Sequence, residues 1–443
     1  MTERRLKVPA LLVLVLAGFL TDCSTTAKDD VVTPVEIPAA SMSYIVLAWN
    51  DLGMPFFSPT YDKEVLLPPY NTLWAQVIKR GSPPEIVTTG VTLEYRIVDN
   101  TYSYGKGTAS PLRSYGQFWD NSFDLFGVSL AHDTGLNLVD PDIHNGLSGT
   151  MLLKGNHFEV DGVPVVPIND AGTWDPYQVA EIIVRDASSG AELARTRATA
   201  PTSDEINCAK CHGQGDVGSV LASHDELEET TFVTDGVPVL CADCHGSPAL
   251  GQTGAGSSEV YLSEAIHSYH AALTTNCYDC HPGETTLFHR SVAQTTSNGN
   301  CSTCHGTSGD IAMSIANGRV PWTGQPKCVQ CHTFVAEVDT GATAYRTASA
   351  HNGISCPACH GSPHAQIPSN RAVDHYQALQ YQNKALPLGS CRVCHSGSKG
   401  GGLVNIVEAH GGSRPTACTV CHTGSISTNN PLEFPHRFQH RNR

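Results

Sequence analysis

Sixteen of the seventeen cysteines in this chain fall into eight C-x-x-C-H motifs, and all eight motifs lie after residue 207. Two thiols at this spacing can form thioethers with the two vinyl groups of one porphyrin, and the histidine that follows can bind the iron from one face. A single motif could equally be half of a zinc site or a redox dithiol. Zinc sites, however, would not require a histidine after every second cysteine. The series therefore predicts eight covalently bound c-type haems, with iron as the metal.

The motifs specify the residues that would hold each haem. The predicted thioether cysteines are Cys208, Cys211, Cys241, Cys244, Cys277, Cys280, Cys301, Cys304, Cys328, Cys331, Cys356, Cys359, Cys391, Cys394, Cys418 and Cys421. The predicted proximal iron ligands are His212, His245, His281, His305, His332, His360, His395 and His422. We number these motifs site 1 to site 8 in chain order.

The second axial ligand of each iron is expected to be a histidine. Met313 is the only methionine beyond residue 200, whereas ten histidines there lie outside the motifs. His375 is set aside because it lies on a predicted amphipathic helix, and His440 because chain ends fray. The distal candidates that remain are His224, His267, His270, His289, His351, His364, His410 and His436. We expect bis-histidine haems of low potential and assign no residue to catalysis.

His267 and His270 are three residues apart, just upstream of site 3. Residues at this spacing project from nearly the same side of a helix. The two axial positions of an iron lie on opposite faces of the porphyrin, so these two histidines cannot bind the same iron. If both are ligands, they serve two different haems and bring them close together.

The cysteine-rich part of the chain, residues 201–443, is poor in large apolar side chains. It is rich in Gly, Ser, Thr and Ala and contains a single tryptophan, Trp322. Such a sequence cannot build a large side-chain core, so the haems themselves are expected to form it. The prediction is a mostly irregular cytochrome c domain with short helices and stacked haems.

Residues 43–200 have a different pattern, with four of the five tryptophans and no cysteine. Residues 91–98, VTLEYRIV, alternate apolar and polar side chains, which is typical of a half-buried strand. Asp161-Gly162 between two apolar runs predicts a hairpin, and so does the turn at residues 188–190. We expect an all-β domain here, either a sandwich or an open barrel.

The first 22 residues resemble an export signal, with a basic start and an apolar stretch too short to span a bilayer. Cys23 follows in a context that resembles a lipobox, so we expect lipidation of Cys23 and a flexible tether over residues 23–42. A plain secretory signal is the alternative. The expected location is the outer membrane, as a lipoprotein, or the extracellular surface. The formal net charge of −15 argues against nucleic acid as a partner.

Taken together, the motifs, the export signal and the cysteine-free β domain resemble the multihaem c-type cytochromes on the outer surface of metal-reducing bacteria. The phrases AWNDLGM (residues 48–54), LLPPYNTLWAQV (66–77) and CHGSPH (359–364) carry the same resemblance. It implies electron transfer in extracellular or outer-membrane respiration. The implied partners are other multihaem cytochromes or a porin–cytochrome complex, and the implied acceptors are metal oxides or electrodes. A homo-oligomer or filament is a further possibility within that family.

The alternative is an enzyme, a multihaem reductase in which one haem keeps an open position for a small oxyanion. Such a site needs nearby Lys, Arg, Tyr or His to bind substrate and supply protons. Distal histidines suffice for every haem here, and only four lysines lie beyond residue 200. The sequence therefore favours an electron carrier over an enzyme without deciding between them.

Overall fold

A computed structural model describes most of the chain between residues 42 and 396. The described ranges are 42–109, 112–138, 140–206, 208–212, 218–274, 276–283, 285–292, 301–324, 344–350 and 353–396. Several predicted site residues lie outside them, namely Cys23, Cys328, Cys331, His332, His351, His410, Cys418, Cys421, His422 and His436. We call Tyr44–Pro201 the β region and Cys208–Ser396 the haem-motif region.

The described part of the β region contains eleven strands and two short helices. The strands are β1 (Tyr44–Trp49), β2 (Glu64–Val65), β3 (Asn71–Lys79), β4 (Glu85–Val87), β5 (Val91–Ile97), β6 (Gly107–Ala109), β7 (Leu112–Ser114), β8 (Ser148–Lys154), β9 (His157–Val163), β10 (Tyr177–Asp186) and β11 (Glu192–Pro201). The helices are α1 (Gln117–Asp120) and α2 (Ser122–Phe126).

In the described part of the haem-motif region, helices and turns are short. The α-helices are α3 (Ala209–His212), α4 (Gly218–Glu228), α5 (Phe232–Asp235), α6 (Leu262–His270), α7 (Cys301–His305), α8 (Ser308–Ala316), α9 (Cys356–His360) and α10 (Tyr376–Gln382). The 3-10 turns are Cys241–Asp243, Pro248–Leu250, Cys277–Asp279, Tyr345–Thr347, Ala372–His375 and Cys391–Val393. The strands are β12 (Val239–Leu240), β13 (Ser349–Ala350) and β14 (Ile354–Ser355). None of the described helices is long and apolar enough to cross a membrane.

One antiparallel sheet dominates the β region. Its strands run in the order β1-β3-β9-β8-β5-β10-β11, with β4 also paired to β3. The two end strands, β1 and β11, lie side by side, so the sheet is nearly closed into a barrel. The open-barrel form of the sequence prediction is therefore the one that the structure supports.

The interior of this sheet is filled by alternate strand residues. In β5, Leu93, Tyr95 and Ile97 are buried while Thr92 and Arg96 are exposed, which confirms the alternation predicted for residues 91–98. The hairpin predicted near residues 188–190 is also confirmed, because β10 pairs antiparallel with β11.

Two features of the β region differ from the sequence prediction. Residues 117–126 form α1 and α2, whose Phe118, Trp119 and Leu125 are buried, so the region is not entirely β.

The prediction of a hairpin at Asp161-Gly162 is wrong, because β9 continues through both residues. Gly162 has a φ of +69°, and a Cβ there would lie 2.3 Å from the Leu136 carbonyl oxygen. The glycine therefore permits a close backbone approach and not a chain reversal.

The haem-motif region packs directly against the outside of the sheet. Ile45, Leu47 and Trp49 of β1 share a buried cluster with Ala358 and Val393, which lie within sites 6 and 7. Strand β12, immediately before site 2, pairs in parallel with β2. The sheet thus serves as the surface on which several motifs are placed.

Candidate haem-binding sites

Each described motif forms a single helical turn. At site 1, the carbonyl of Cys208 accepts hydrogen bonds from the backbone N–H groups of Cys211 at 3.1 Å and His212 at 3.0 Å. Site 2 and site 3 repeat this pattern around the carbonyls of Cys241 and Cys277. Because residues i, i+3 and i+4 share one side of such a turn, both thiols and the imidazole project together. This is the arrangement that attachment of one porphyrin requires.

None of the described cysteine side chains is part of a disulfide. They number eleven, and they are Cys208, Cys211, Cys241, Cys244, Cys277, Cys280, Cys301, Cys304, Cys356, Cys359 and Cys394. The second cysteine of sites 1 to 4 is exposed, whereas Cys356 of site 6 is buried. Paired thiols on one side of a turn, next to a histidine, fit covalently attached haem c.

Four motif histidines each lie close to one of the predicted distal candidates. The ring-centroid distances are 6.5 Å for His212–His270, 6.3 Å for His245–His224, 5.9 Å for His281–His267 and 6.2 Å for His305–His364. An imidazole nitrogen binds a metal at about 2 Å, so two rings on opposite sides of one iron have centroids about 6 Å apart. The four distances fit a metal ion between each pair.

These distances do not fit ordinary ring stacking. His281 and His267 are nearly parallel, at 26°, but their centroids are 5.9 Å apart. A stacked pair elsewhere in the chain, Tyr104 and His132, has a centroid distance of 3.5 Å. The space between the two near-parallel rings at site 3, and between His305 and His364 at 6.2 Å and 21°, is therefore large enough for an additional atom.

Helix α6 orients both of its histidines through backbone carbonyls. The Nδ1 of His267 lies 2.6 Å from the Ser263 oxygen, and the Nδ1 of His270 lies 2.8 Å from the Ile266 oxygen. With the Nδ1–H donating to a carbonyl, Nε2 is left as the nitrogen that can bind a metal. His267 lies beside site 3 and His270 beside site 1, so the helix presents its two histidines to two different motifs.

Burial keeps several of these imidazoles neutral, which is the form that binds a metal. Burial, together with the neighbouring His267 and His305, lowers the pKa of His281 to about 4. Burial likewise lowers the pKa of His364 to about 3, with His305 and His289 adding to the effect. At neutral pH, both of these rings carry a free lone pair.

The motifs are also close to one another. Burial, the charge of Cys277 and a hydrogen bond with that thiol raise the pKa of Cys301 to about 11, which places sites 3 and 4 side by side. At site 1, burial followed by Glu64 and Cys280 raises the pKa of Cys208 to about 11. Sites 1 and 3 are therefore neighbours through their cysteines as well as through α6.

Sites 6 and 7 form a second pair. Burial raises the pKa of the Cys359 thiol to about 12, and Cys394 is the next largest cause. Both lie against the outside of the sheet, where Cys394 packs on the cluster that contains Trp49.

The remaining histidines are placed as follows. His289 lies 5.8 Å from His364, so the structure brings that distal candidate next to another candidate. His375, which the sequence set aside, accepts a hydrogen bond at Nε2 from the Ser369 N–H at 2.9 Å. The candidates His351, His410 and His436 lie outside the described residues.

Sequence reasoning missed the part that the β region plays at these sites. Phe56 lies 5.9 Å from His281 in an edge-on ring contact, and a Cβ on Gly53 would lie 3.0 Å from the Nδ1 of His364. Both residues follow β1, in or next to the AWNDLGM phrase. Its run of turn-forming polar residues after a buried strand was the available signal.

Two comparisons with protein families agree with this geometry. Residues 226–306, which include sites 2, 3 and 4, match a family described as cytochrome c7 and related cytochrome c. Residues 310–361, which include sites 5 and 6, match a family described as cytochrome c554 and c-prime. No curated protein matches the chain. The two family matches support a multihaem c-type cytochrome with covalently bound haem c, and thus a role in electron transfer.

Proposed function

We propose that this chain is an electron carrier with eight covalently attached c-type haems, each held by two axial histidines. The observation that carries the proposal is the set of four histidine pairs at 5.9–6.5 Å, each joining a motif histidine to one distal candidate. A bound haem c supplies a reversible one-electron couple. The residues of the chain determine where each haem lies and which imidazole nitrogen faces its iron.

In this proposal, sites 1, 3 and 4 form one continuous group. His270 serves site 1 and His267 serves site 3 from the same helix, so the distal ligands of these two sites lie within one turn of α6. The Cys277–Cys301 contact then joins site 3 to site 4. Short separations of this kind support electron exchange along a row of stacked haems.

The distal ligands of sites 5 to 8 are assigned by elimination. His224 serves site 2 and His364 serves site 4, which leaves His289, His351, His410 and His436 for sites 5 to 8. His289 is 5.8 Å from His364, but His305 and His364 would already hold the iron of site 4 between them. His289 is therefore proposed as a ligand of a different haem.

The cellular role rests on the sequence. We propose an exported chain, lipidated at Cys23 and placed at the outer membrane or extracellular surface. There it would pass electrons to other multihaem cytochromes, a porin–cytochrome complex or extracellular acceptors such as metal oxides, as a single chain or as a homo-oligomer or filament. The formal charge of −15 favours partners or surfaces that carry positive charge.

Two spectroscopic measurements on the purified holoprotein test this function. The intact mass should show eight haem additions, and electron paramagnetic resonance of the oxidised protein should show only low-spin ferric haem. Carbon monoxide added to the reduced protein should form no adduct, because both axial positions of every iron are occupied. A stoichiometric high-spin haem that binds carbon monoxide would instead favour the multihaem reductase, since an enzyme needs an open position for its substrate.

A further inference from the structure

The turn that follows β1 is fixed in shape by Asn50, a fully buried residue. The Oδ1 of Asn50 accepts a hydrogen bond from the Gly53 N–H at 2.9 Å, which closes the turn. The backbone N–H of Asn50 donates to the Ser362 Oγ at 3.2 Å, across 312 positions of sequence. The turn is thus tied directly to the segment that connects site 6 to His364.

Gly53 is the point of closest approach between this turn and His364. Its φ is +78°, and a Cβ at this position would lie 2.8 Å from both the Cβ and the carbonyl oxygen of Pro363. The same Cβ would lie 3.0 Å from the Nδ1 of His364. Only glycine therefore fits, both because of the left-handed backbone and because the backbone of Gly53 lies against the imidazole ring.

His364 itself is held in an unfavourable backbone conformation. Its φ is +61°, a region that a residue with a Cβ rarely adopts without support from its surroundings. Its carbonyl oxygen accepts hydrogen bonds from the N–H groups of Arg290 at 2.6 Å and Ser291 at 3.1 Å. Arg290 is fully buried and paired with Asp374 at 2.8 Å, so this side of His364 is rigid.

The backbone of His364 is therefore held by the segment at Arg290, and its ring lies against the turn at Gly53. Its Nδ1 is buried and has no hydrogen-bond partner among the described residues. No polar contact of that nitrogen fixes the ring, so its orientation depends on the surfaces that it packs against. The ring centroid lies 6.2 Å from that of His305, with the two planes 21° apart.

We propose that the turn Asn50–Met54 of the β region is a positioning element for site 4: it sets the place of the His364 ring opposite His305. This inference rests on the His305–His364 pairing of the proposed function. It gives the β region a part in the coordination of an iron whose motif lies about 250 residues further along the chain.

The test compares two glycine-to-alanine variants of the full holoprotein. Gly53→Ala places a methyl group against Pro363 and His364, so the ring should leave the iron of site 4. Gly90→Ala is the matched control, because Gly90 has a similar φ of +72° but nothing within 4 Å of its Cβ position. The expected result for Gly53→Ala is a high-spin ferric signal and a carbon monoxide adduct equivalent to one haem per chain. Gly90→Ala should match the wild type, with a full complement of low-spin haem.

A reference variant separates this inference from the function on which it rests. His364→Ala should itself open one haem to carbon monoxide, with the spectrum that Gly53→Ala reproduces. If His364→Ala opens no haem, the His305–His364 pairing is wrong and the inference falls with it. If His364→Ala opens one haem but Gly53→Ala stays fully low-spin, the pairing stands and only the positioning role is overturned. Equal opening in Gly90→Ala would also overturn it, because general backbone strain would then be the cause.

A milder variant covers the case in which Gly53→Ala does not mature. Ser362→Ala removes the acceptor for the Asn50 N–H without adding any bulk. It should raise carbon monoxide binding above the wild-type level, to less than one haem per chain. Binding equal to that of the wild type would contradict the proposal.

Discussion

In the β region, buried strand residues from Val46 to Ala200 fill the interior of one nearly closed sheet. The apolar side chains of the haem-motif region, in contrast, pack against residues of the β region. Each of the three buried apolar clusters among the described residues contains residues of the β region. Leu240 and Ala242 join the cluster around Phe118, and Ala358 and Val393 join the outer face of β1. One region is stabilised by its own side chains, while the other depends on what it packs against.

The difference indicates what the cofactors contribute to stability. In the haem-motif region, short turns carry paired thiols and imidazoles, and the histidine pairs leave a space of metal-binding size between their rings. In a small scaffold without a sufficient core, covalent and metal bonds supply the stability that side-chain burial does not. Removing the haems, single apolar side chains or one carboxyl proton should therefore affect the two regions differently.

The largest effect should follow from making the chain without haem. The haem-motif region should then be unfolded, because its thioether and axial bonds are missing, whereas the β region should keep its sheet. Limited proteolysis with mass spectrometry should yield a resistant fragment close to residues 42–206, with a β-type circular dichroism spectrum. A resistant fragment that extends through residue 396 would show that the haem-motif region has a sufficient core of its own.

A smaller effect is expected from deleting single apolar side chains in the holoprotein. Leu73→Ala, in the interior of the sheet and fully buried, should lower the free energy of unfolding by about 2–5 kcal/mol. Leu262→Ala, the matched change in α6 at 9% exposure, should cost about half as much or less, because axial bonds hold that helix. Chemical denaturation of the two variants measures both values. Equal losses would remove the contrast between the regions.

The smallest effect concerns Glu64, at the junction where β2 meets β12. Burial raises the pKa of its carboxyl from 4.5 to about 7. Because the folded state holds this proton more tightly than the unfolded chain, stability is fully present below about pH 4.5 and is lost as the pH rises through 7. Glu64→Gln has no proton to lose, so it should be more stable than the wild type at alkaline pH, by about 1–3 kcal/mol.

Thermal unfolding of the wild type and Glu64→Gln at about pH 4 and pH 9 checks this prediction. The two proteins should unfold at the same temperature at the lower pH, and the variant should be the more stable at the higher pH. If the wild type were more stable than Glu64→Gln at alkaline pH, a positive charge at this junction would have to stabilise the Glu64 carboxylate.

The sequence predicted the local features of the fold better than its long-range contacts. The alternation of residues 91–98 was sufficient to predict β5, and the turn near residue 189 was sufficient to predict the β10–β11 hairpin, because strand periodicity and turn chemistry are local. Asp161-Gly162 misled for the same reason: the dipeptide favours a hairpin, but β9 pairs with β3 on both sides of it, with a register shift at this point. The barrel-like closure depends on β1 meeting β11, which no local pattern specifies.

The candidate haem sites likewise combine features that the local sequence specifies with contacts that only the fold creates. The C-x-x-C-H motifs are visible in the sequence because their chemistry requires a fixed spacing. The proximity of His364 to His305, and of Gly53 to His364, arises only when distant segments fold together. His267 and His270 are an intermediate case: helix geometry alone requires two separate sites if both are ligands, and the structure places them beside His281 and His212. Ligation by these two histidines stays a prediction.

The most direct test of the account is a count of the haems opened by His267→Ala and His270→Ala, alone and together. Each single variant should show one high-spin ferric haem per chain that binds carbon monoxide after reduction, and the double variant should show two. His375→Ala serves as the control and should open none, since its Nε2 accepts a hydrogen bond from Ser369. A double variant that opens only one haem, or none, would contradict the claim that α6 joins two haem sites.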